Sequence, residues 1–292
     1  MNGFVIVDKE EGITSFKASS CLRRIYNEKK TGHTGTLDPM ATGVLPVAMG
    51  RATRFIDLLP DSSKAYIARF KFGIVTDTLD ITGTVLEEKK AEVTKEQLES
   101  ILPLFRGDIM QMPPMYSALS VNGVKLYKLA RQGVEVEREQ RQITINSLEL
   151  TNCFENGEFE ISVDCSKGTY IRSLIADIGE RLGCGAVMTA LRRTKSNGFT
   201  ISQAKTLSEI EKAGESAVLP IDEVFGIYPS VTVSTAQAQR FSNGGELMSD
   251  RLKTDIIASI YRVYSPEKEF LGLGEITAED MSVLKVKKVV GK

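Results

Sequence analysis

The sequence has no tryptophan, one histidine and four cysteines in 292 residues. Cys21, Cys153, Cys165 and Cys184 are scattered and form no Cys-x-x-Cys pair. So few thiols in so long a chain exclude a disulfide framework and read as buried free thiols. A lone histidine excludes the usual zinc-ligand spacings, so no metal site is expected. No apolar run approaches the roughly 20 residues that span a bilayer. The first nine residues lack a basic segment followed by an apolar stretch and a small-residue cleavage site, so they read as a strand and not as a signal peptide. A cytoplasmic protein without membrane attachment is therefore expected.

The chain also lacks an excess of either charge, at a net −1. That excludes a uniformly basic surface while leaving room for local patches. Cationic clusters stand at Arg23-Arg24, Lys29-Lys30, Arg51 with Arg54, Arg192-Arg193 with Lys195, and Lys285 with Lys287-Lys288. They read either as solvated faces or as a discontinuous track for a polyanion. What is present, 42% hydrophobic and 26% charged residues, is ordinary for a globular chain long enough for a large domain and a small one.

Local patterns predict strands at 4–7, 65–72, 85–87, 143–150, 159–164 and 187–193. Helices are expected from Thr14 or Ser15 to Tyr26, over 52–59, over 94–104 with a Thr94/Gln97 capping box, over 123–133, and from Tyr170 to Leu182, stopped by Gly183. Asn156-Gly157 reads as the turn of a hairpin. Thr31 to Gly50 is rich in glycine and threonine, contains two prolines, and reads as a loop at its start. Residues 112–139 are expected to project from the core. After Pro229 a helix over 232–241 and strands over 256–264 and 270–273 suggest a small appended unit. Strands and helices mix without a βαβ rhythm, so the expected class is α+β with a mainly antiparallel sheet.

One carboxylate stands out. Asp38 sits between Leu37 and Pro39, and a following proline forbids it the helical conformation. From spacing alone it reads either as loop architecture or as a held reactive group: a nucleophile, a general base or a metal ligand. Asp77 and Asp80 could join it, but their segment lacks the spacing of a calcium loop. Gly32-His33-Thr34-Gly35 is not a Walker loop. It faintly resembles nucleotidyltransferase loops without their second histidine. His33, as a loop imidazole, and Tyr66, on a strand, could contact or stack on a nucleobase. Lys167-Gly168-Thr169-Tyr170-Ile171-Arg172 places Thr169 as a helix cap. It also places Arg172 in a first turn, where the helix dipole disfavours a cation and a partner anion is needed.

Gly32 to Pro39 followed by Ala41-Thr42-Gly43-Val44-Leu45-Pro46 resembles the catalytic motif of TruB-type tRNA pseudouridine-55 synthases. The resemblance continues in order through Lys64-x-Tyr66, Asp77-Thr78-x-Asp80, Arg106-Gly107-Asp108, Met115 to Ala118, Leu126-Tyr127, Ala130 to Gly133, Lys167 to Arg172 and Leu191-Arg192-Arg193. It implies a sheet crossed by a central cleft and flanked by helices, over residues 1–227. It also implies a thumb-like RNA-binding insertion over about 112–139 and a small β-rich PUA-like domain over 228–292.

By that resemblance Asp38 is the nucleophile, Tyr66 stacks on the base and assists proton removal, and Arg172 pairs with Asp38 and holds it ionised. His33 holds the RNA loop, and Tyr170 and Leu191 line the uridine pocket. The substrate implied is the uridine at position 55 in the T loop of tRNA, flipped out and isomerised without cofactor or metal. The implied partner is the tRNA T-arm stem-loop, with contact to the acceptor end. A stand-alone enzyme without guide RNA is expected, because the long C-terminal extension of guide-RNA relatives is lacking, and a monomer is expected beside that. Two readings of other classes stay beside this one: a tRNA-binding and folding factor, and a nucleotidyltransferase needing a triphosphate and magnesium.

Overall fold

The computed structural model describes residues 1–121, 123–252 and 254–291. Asn122 in the expected insertion, and Lys253 and Lys292 in the expected C-terminal unit, lie outside them. The strands in chain order are β1 Gly3–Lys9, β2 Thr31–His33, β3 Thr42–Met49, β4 Lys64–Phe72, β5 Ile74–Thr76, β6 Val85–Glu88, β7 Gly107–Gln111, β8 Ser120–Val121, β9 Val124–Lys125, β10 Arg141–Cys153, β11 Glu158–Cys165, β12 Ala186–Ser196 and β13 Phe199–Thr200. Then follow β14 Ser230–Thr232, β15 Leu247–Met248, β16 Ser259–Tyr264, β17 Phe270–Ile276 and β18 Val283–Val289. The helices are α1 Ser15–Ile25, α2 Lys95–Ile101, α3 Leu126–Ala130, α4 Ile171–Arg181, α5 Leu207–Ala213, α6 Ile221–Val224 and α7 Thr235–Ser242.

Nine strands form the main sheet, in the order β1-β3-β12-β4-β11-β10-β7, with β2 beside β3 and β13 beside β12. Every pairing in it is antiparallel except β3 with β12. The α+β class with a mainly antiparallel sheet is therefore the observed one. Alternation decides which side each residue serves. Along β1, Val5 and Val7 enter one core with α1 and α4, while Phe4 and Ile6 enter a second core on the other face. Along β4, Tyr66, Ala68, Phe70 and Phe72 are buried. The Phe70, Phe72 and Phe159 rings meet at centroid distances of 5.2–5.9 Å.

The second core also takes Leu273 of β17, and the Phe55 ring lies 6.2 Å from that of Phe270. The C-terminal five-stranded sheet, β14-β16-β17-β18-β15, thus shares apolar packing with the main sheet. It has a core of its own around Phe241, Tyr261 and Leu284.

Several local expectations change. Seven of the eight residues of β3 are buried, a strand that the local pattern of this glycine- and proline-containing stretch did not predict. Pro46 offers no N–H, yet its carbonyl accepts from Thr34 N at 3.1 Å, so the strand keeps its place. The helix expected over 123–133 is reduced to the five residues of α3, preceded by the β8–β9 hairpin. The expected 232–241 helix starts later, at Thr235, because Ser230–Thr232 pairs with β16 and Ser234 is the cap. Only Cys165 is buried; Cys153 is exposed and Cys21 and Cys184 are half-buried, all free.

Gly43 is what lets β3 run against β12. Its φ is +103°, and a Cβ there would lie 2.2 Å from the Arg193 carbonyl oxygen. Gly43→Ala should lower stability by at least the ~1–3 kcal/mol of a strained backbone position, measured by urea unfolding. An unchanged midpoint would mean that β3 and β12 can separate freely here.

Candidate active site

Asp38 lies in the connection from β2 to β3, and that connection is fastened at several points. The Ser15 hydroxyl, at the start of α1, accepts from Leu37 N at 2.8 Å and donates to Leu37 O at 3.1 Å. The Leu37 side chain is buried in the first core. Pro39 O accepts from Gly12 N at 2.8 Å and from Lys9 Nζ at 3.2 Å. On the other side, Arg193 Nε donates to Val44 O at 2.7 Å and Nη2 to Gly35 O at 3.1 Å. A carboxylate on a loop tied by a serine, a lysine and an arginine has little freedom to move.

Arg172 approaches from the first turn of α4. Its Nε stands 3.0 Å from Asp38 Oδ2 and its Nη1 3.5 Å from Asp80 Oδ2. Nη1 also donates to Thr78 O and Nη2 to Tyr116 O, each at 2.7 Å. Asp80 is held in turn by the Thr78 hydroxyl at 2.9 Å and by Thr82 N at 3.0 Å. The side chains of Arg172 and Asp80 are each 6% exposed, whereas Asp38 is 32% exposed. Asp38 is therefore the member of the trio that solvent or substrate can reach. Both carboxylates are committed to a guanidinium, and a divalent cation would have to displace it.

Burial pushes the Asp38 carboxyl above its ordinary 3.8; Arg172 draws it back, Asp80 pushes it further up, and Lys9 draws it down. The net direction is upward. Arg172 favours the ionised form of Asp38, but it does not outweigh desolvation. Lys9, fully buried with its amine on the carbonyls of Glu10, Ile13 and Pro39, is itself lowered to about 8 by burial.

Tyr66 projects from β4, buried, and its phenol is pushed up to about 12 by burial, with Arg193 acting the other way. Leu191 on β12 pairs in register with Ala68 of β4 and is buried. Tyr170 is the residue that caps α4. Its N–H donates to Gln111 Oε1 at 2.8 Å and its carbonyl accepts from Gln111 Nε2 at 3.0 Å. Asp38 is close enough to act electrostatically on both Tyr66 and Tyr170, and Arg172 on Asp38 and Tyr170. His33 lies on β2, at a cavity of about 320 Å³ that it lines with Phe16, Ser19, Arg23, Thr31 and Gly32. Burial lowers its imidazole pKa, and so does Arg193.

Three expectations are corrected. Thr169 does not cap α4; its hydroxyl donates to Ser166 O at 3.0 Å, and α4 begins with no side-chain cap. Residues 112–139 do not project from their first residue, since Met112 O accepts from Ser173 Oγ and Tyr116 O from Arg172. Arg193 is not a solvated cation but fully buried, whereas its neighbour Arg192 stays 41% exposed and pairs with Asp8 at 2.8 Å.

Sequence reasoning missed Ser15, Lys9, Gln111 and Arg193 as supports. Lys9 carried a signal, a cation closing an apolar strand. Arg193 was hidden inside a basic run, and Gln111 carried none.

A family model described as TruB family pseudouridylate synthase (N terminal domain) matches residues 23–171. Models for the tRNA pseudouridylate synthase B C-terminal domain and for the pseudouridine synthase II TruB C-terminal region match 172–225 and 229–290. A protein named tRNA pseudouridine synthase B from Clostridium perfringens is 44% identical over 279 residues, covering 94% of this chain and 95% of that one. One of the same name from Clostridium tetani is 41% identical, covering 98% and 99%. Among solved structures, a Cbf5-Nop10-Gar1 complex includes a chain that superposes with a TM-score of 0.73 at 26% identity, covering 99% of this chain and 84% of that one. An H/ACA ribonucleoprotein bound to a substrate RNA includes a chain of the same fold, with a TM-score of 0.72 at 24% identity, covering 99% and 85%. With the family model spanning half of its length and such relatives along nearly all of it, the chain belongs to the TruB family of pseudouridylate synthases.

Proposed function

We propose that this protein converts the uridine at position 55 in the T loop of tRNA to pseudouridine, with Asp38 as the catalytic carboxylate. The observation that carries the reading is the exposure contrast within the trio. Arg172 and Asp80 are sealed, and Asp38 alone faces outward from a fixed loop. The tRNA substrate follows from the names of the relatives.

The reaction is an isomerisation. The bond from C1′ to N1 breaks, the uracil turns, C5 bonds to C1′, C5 loses its proton and N1 gains one. Atoms and electrons balance, so the chemistry calls for no cofactor. The uridine must leave its stack for its C1′ to be reached. Tyr66 and Leu191 then offer an aromatic face and an aliphatic one to the flipped base, and Tyr66 assists proton removal at C5. Tyr170 closes the pocket beside Arg172, and His33 contacts the rearranged loop. The catalytic unit spans 1–227, the insertion over 112–139 closes on the T arm, and 228–292 reaches toward the acceptor end. The protein works as a monomer in the cytoplasm, on free tRNA without a guide RNA.

Asp38→Asn should retain binding of a T-arm stem-loop while losing at least on the order of 10²-fold in single-turnover rate. Turnover near that of the unaltered protein would remove Asp38 from the chemistry. Arg172→Met should leave Asp80 buried without its counter-charge and cost about 3–5 kcal/mol in denaturant unfolding. Arg172→Lys should recover part of that stability but little activity, because an ammonium cannot span both carboxylates and two carbonyls. Activity fully restored by lysine would show that a single positive charge suffices.

A further inference from the structure

Beside the trio stands a second charged pair that the reaction leaves unused. Lys64 opens β4 two residues before Tyr66 and therefore shares its face. A Cβ added to Gly35 would lie 3.1 Å from Lys64 Nζ and 3.6 Å from Arg193 Nη1. Both cations thus converge on one point of the loop that carries Asp38. Among the described residues neither forms an ion pair with a carboxylate; Arg193 spends Nε and Nη2 on carbonyls. Arg193 Nη1 is buried without a hydrogen-bond partner, as is Oγ1 of Thr34, one residue before Gly35 in the chain.

Two like charges held together, one of them sealed from water and the other half-buried, without an anion, are a costly arrangement. A bound anion relieves it. Arg193 is sealed, but Lys64, Thr34 and Gly35 keep partial exposure, so an anion can reach the amine from the loop side. Gly35, lacking a side chain, leaves the approach open.

We propose that Lys64, backed by the buried Arg193 and flanked by Thr34, binds a backbone phosphate of the substrate RNA next to the reacting nucleotide. This rests on the proposed function, since an RNA must occupy the cleft. A phosphate here clamps the strand three residues along the chain from Asp38 and supplies the counter-charge that the pair lacks.

The proposal has a protonic signature. In the free protein the Lys64 amine is lowered to about 8, first by burial and then by Arg193. The groups around it do not titrate nearby: Cys165 of β11 is raised to about 11, Tyr66 to about 12, and the His33 imidazole is lowered. Lys9, also at about 8, lies on the Pro39 side of the loop, bonded to carbonyls. A phosphate on Lys64 raises its pKa, so binding takes up a proton above about pH 8.

The test is the dissociation constant of a T-arm stem-loop from about pH 7 to about pH 9.5 and across salt, for the unaltered protein, Lys64→Met and Lys64→Arg. Thermal unfolding verifies that each variant folds. The unaltered protein should weaken by up to about tenfold per pH unit above about 8. Lys64→Met should bind about tenfold or more weaker at neutral pH, lose that pH slope, and lose about one unit of salt slope. Lys64→Arg should bind at neutral pH and lose the pH slope. The loss of slope is the readout, because Lys64 is the group removed; any smaller slope left in Lys64→Met comes from other groups, Lys9 and the RNA bases among them. Equal affinity and slope in Lys64→Met overturn the phosphate contact and leave the proposed function standing. No RNA binding by the unaltered protein overturns both. Inorganic phosphate bound through Lys64 while RNA affinity is unchanged makes this a free-anion site and overturns the assignment to RNA.

Discussion

The site is organised around one guanidinium that serves two carboxylates. Arg172 is buried at the start of α4, where the helix dipole opposes it. Asp38 and Asp80 make its burial tolerable, together with the carbonyls of Thr78 and Tyr116. Those four acceptors come from three separate stretches of chain. The arginine therefore fastens together the Asp38 loop, the 77–84 loop and the base of the 112–139 segment. It also moderates the charge on Asp38, since one guanidinium divided between two carboxylates neutralises neither completely. Burial raises Asp38 and the guanidinium restrains the rise.

The sheet supplies the rigidity behind this arrangement. β3, buried almost throughout, follows directly on the Asp38 loop, and its parallel contact with β12 brings Arg193 up beneath that loop. Arg193 and Lys9 then hold opposite ends of the loop through carbonyls and not through carboxylates. Their positive charge remains available for electrostatic effects on Tyr66, Asp38 and an incoming anion.

Much of this was legible in the sequence, for stated reasons. Alternation revealed β4 and β11, the capping box revealed α2, and Asn156-Gly157 revealed the β10–β11 hairpin, because each signal is local. Asp38 and Arg172 each stood out locally, because proline restricts one and the helix dipole makes the other need an anion, but their pairing was legible only through the resemblance to the family. β3 was hidden because its proline and glycines serve a pairing that depends on a distant strand. Arg193 looked like part of a basic surface, since nothing near it in sequence announces the carbonyls of Gly35 and Val44 that accept from it. Gln111, which clamps both backbone groups of Tyr170, sits 59 residues from its partner, beyond the reach of any local pattern.

The central claim is that Asp38 acts as a carboxylate whose charge is tuned by the shared arginine and by Asp80. The most direct measurement is the pH dependence of single-turnover pseudouridine formation, compared between the unaltered protein and Asp80→Asn. On the proposed function the reaction needs the ionised form of Asp38, so the rate should fall as pH drops through its pKa. That acid limb should lie above the ordinary 3.8 and move downward when the Asp80 charge is removed. A limb at or below the ordinary value, or one that Asp80→Asn leaves in place, would contradict the account.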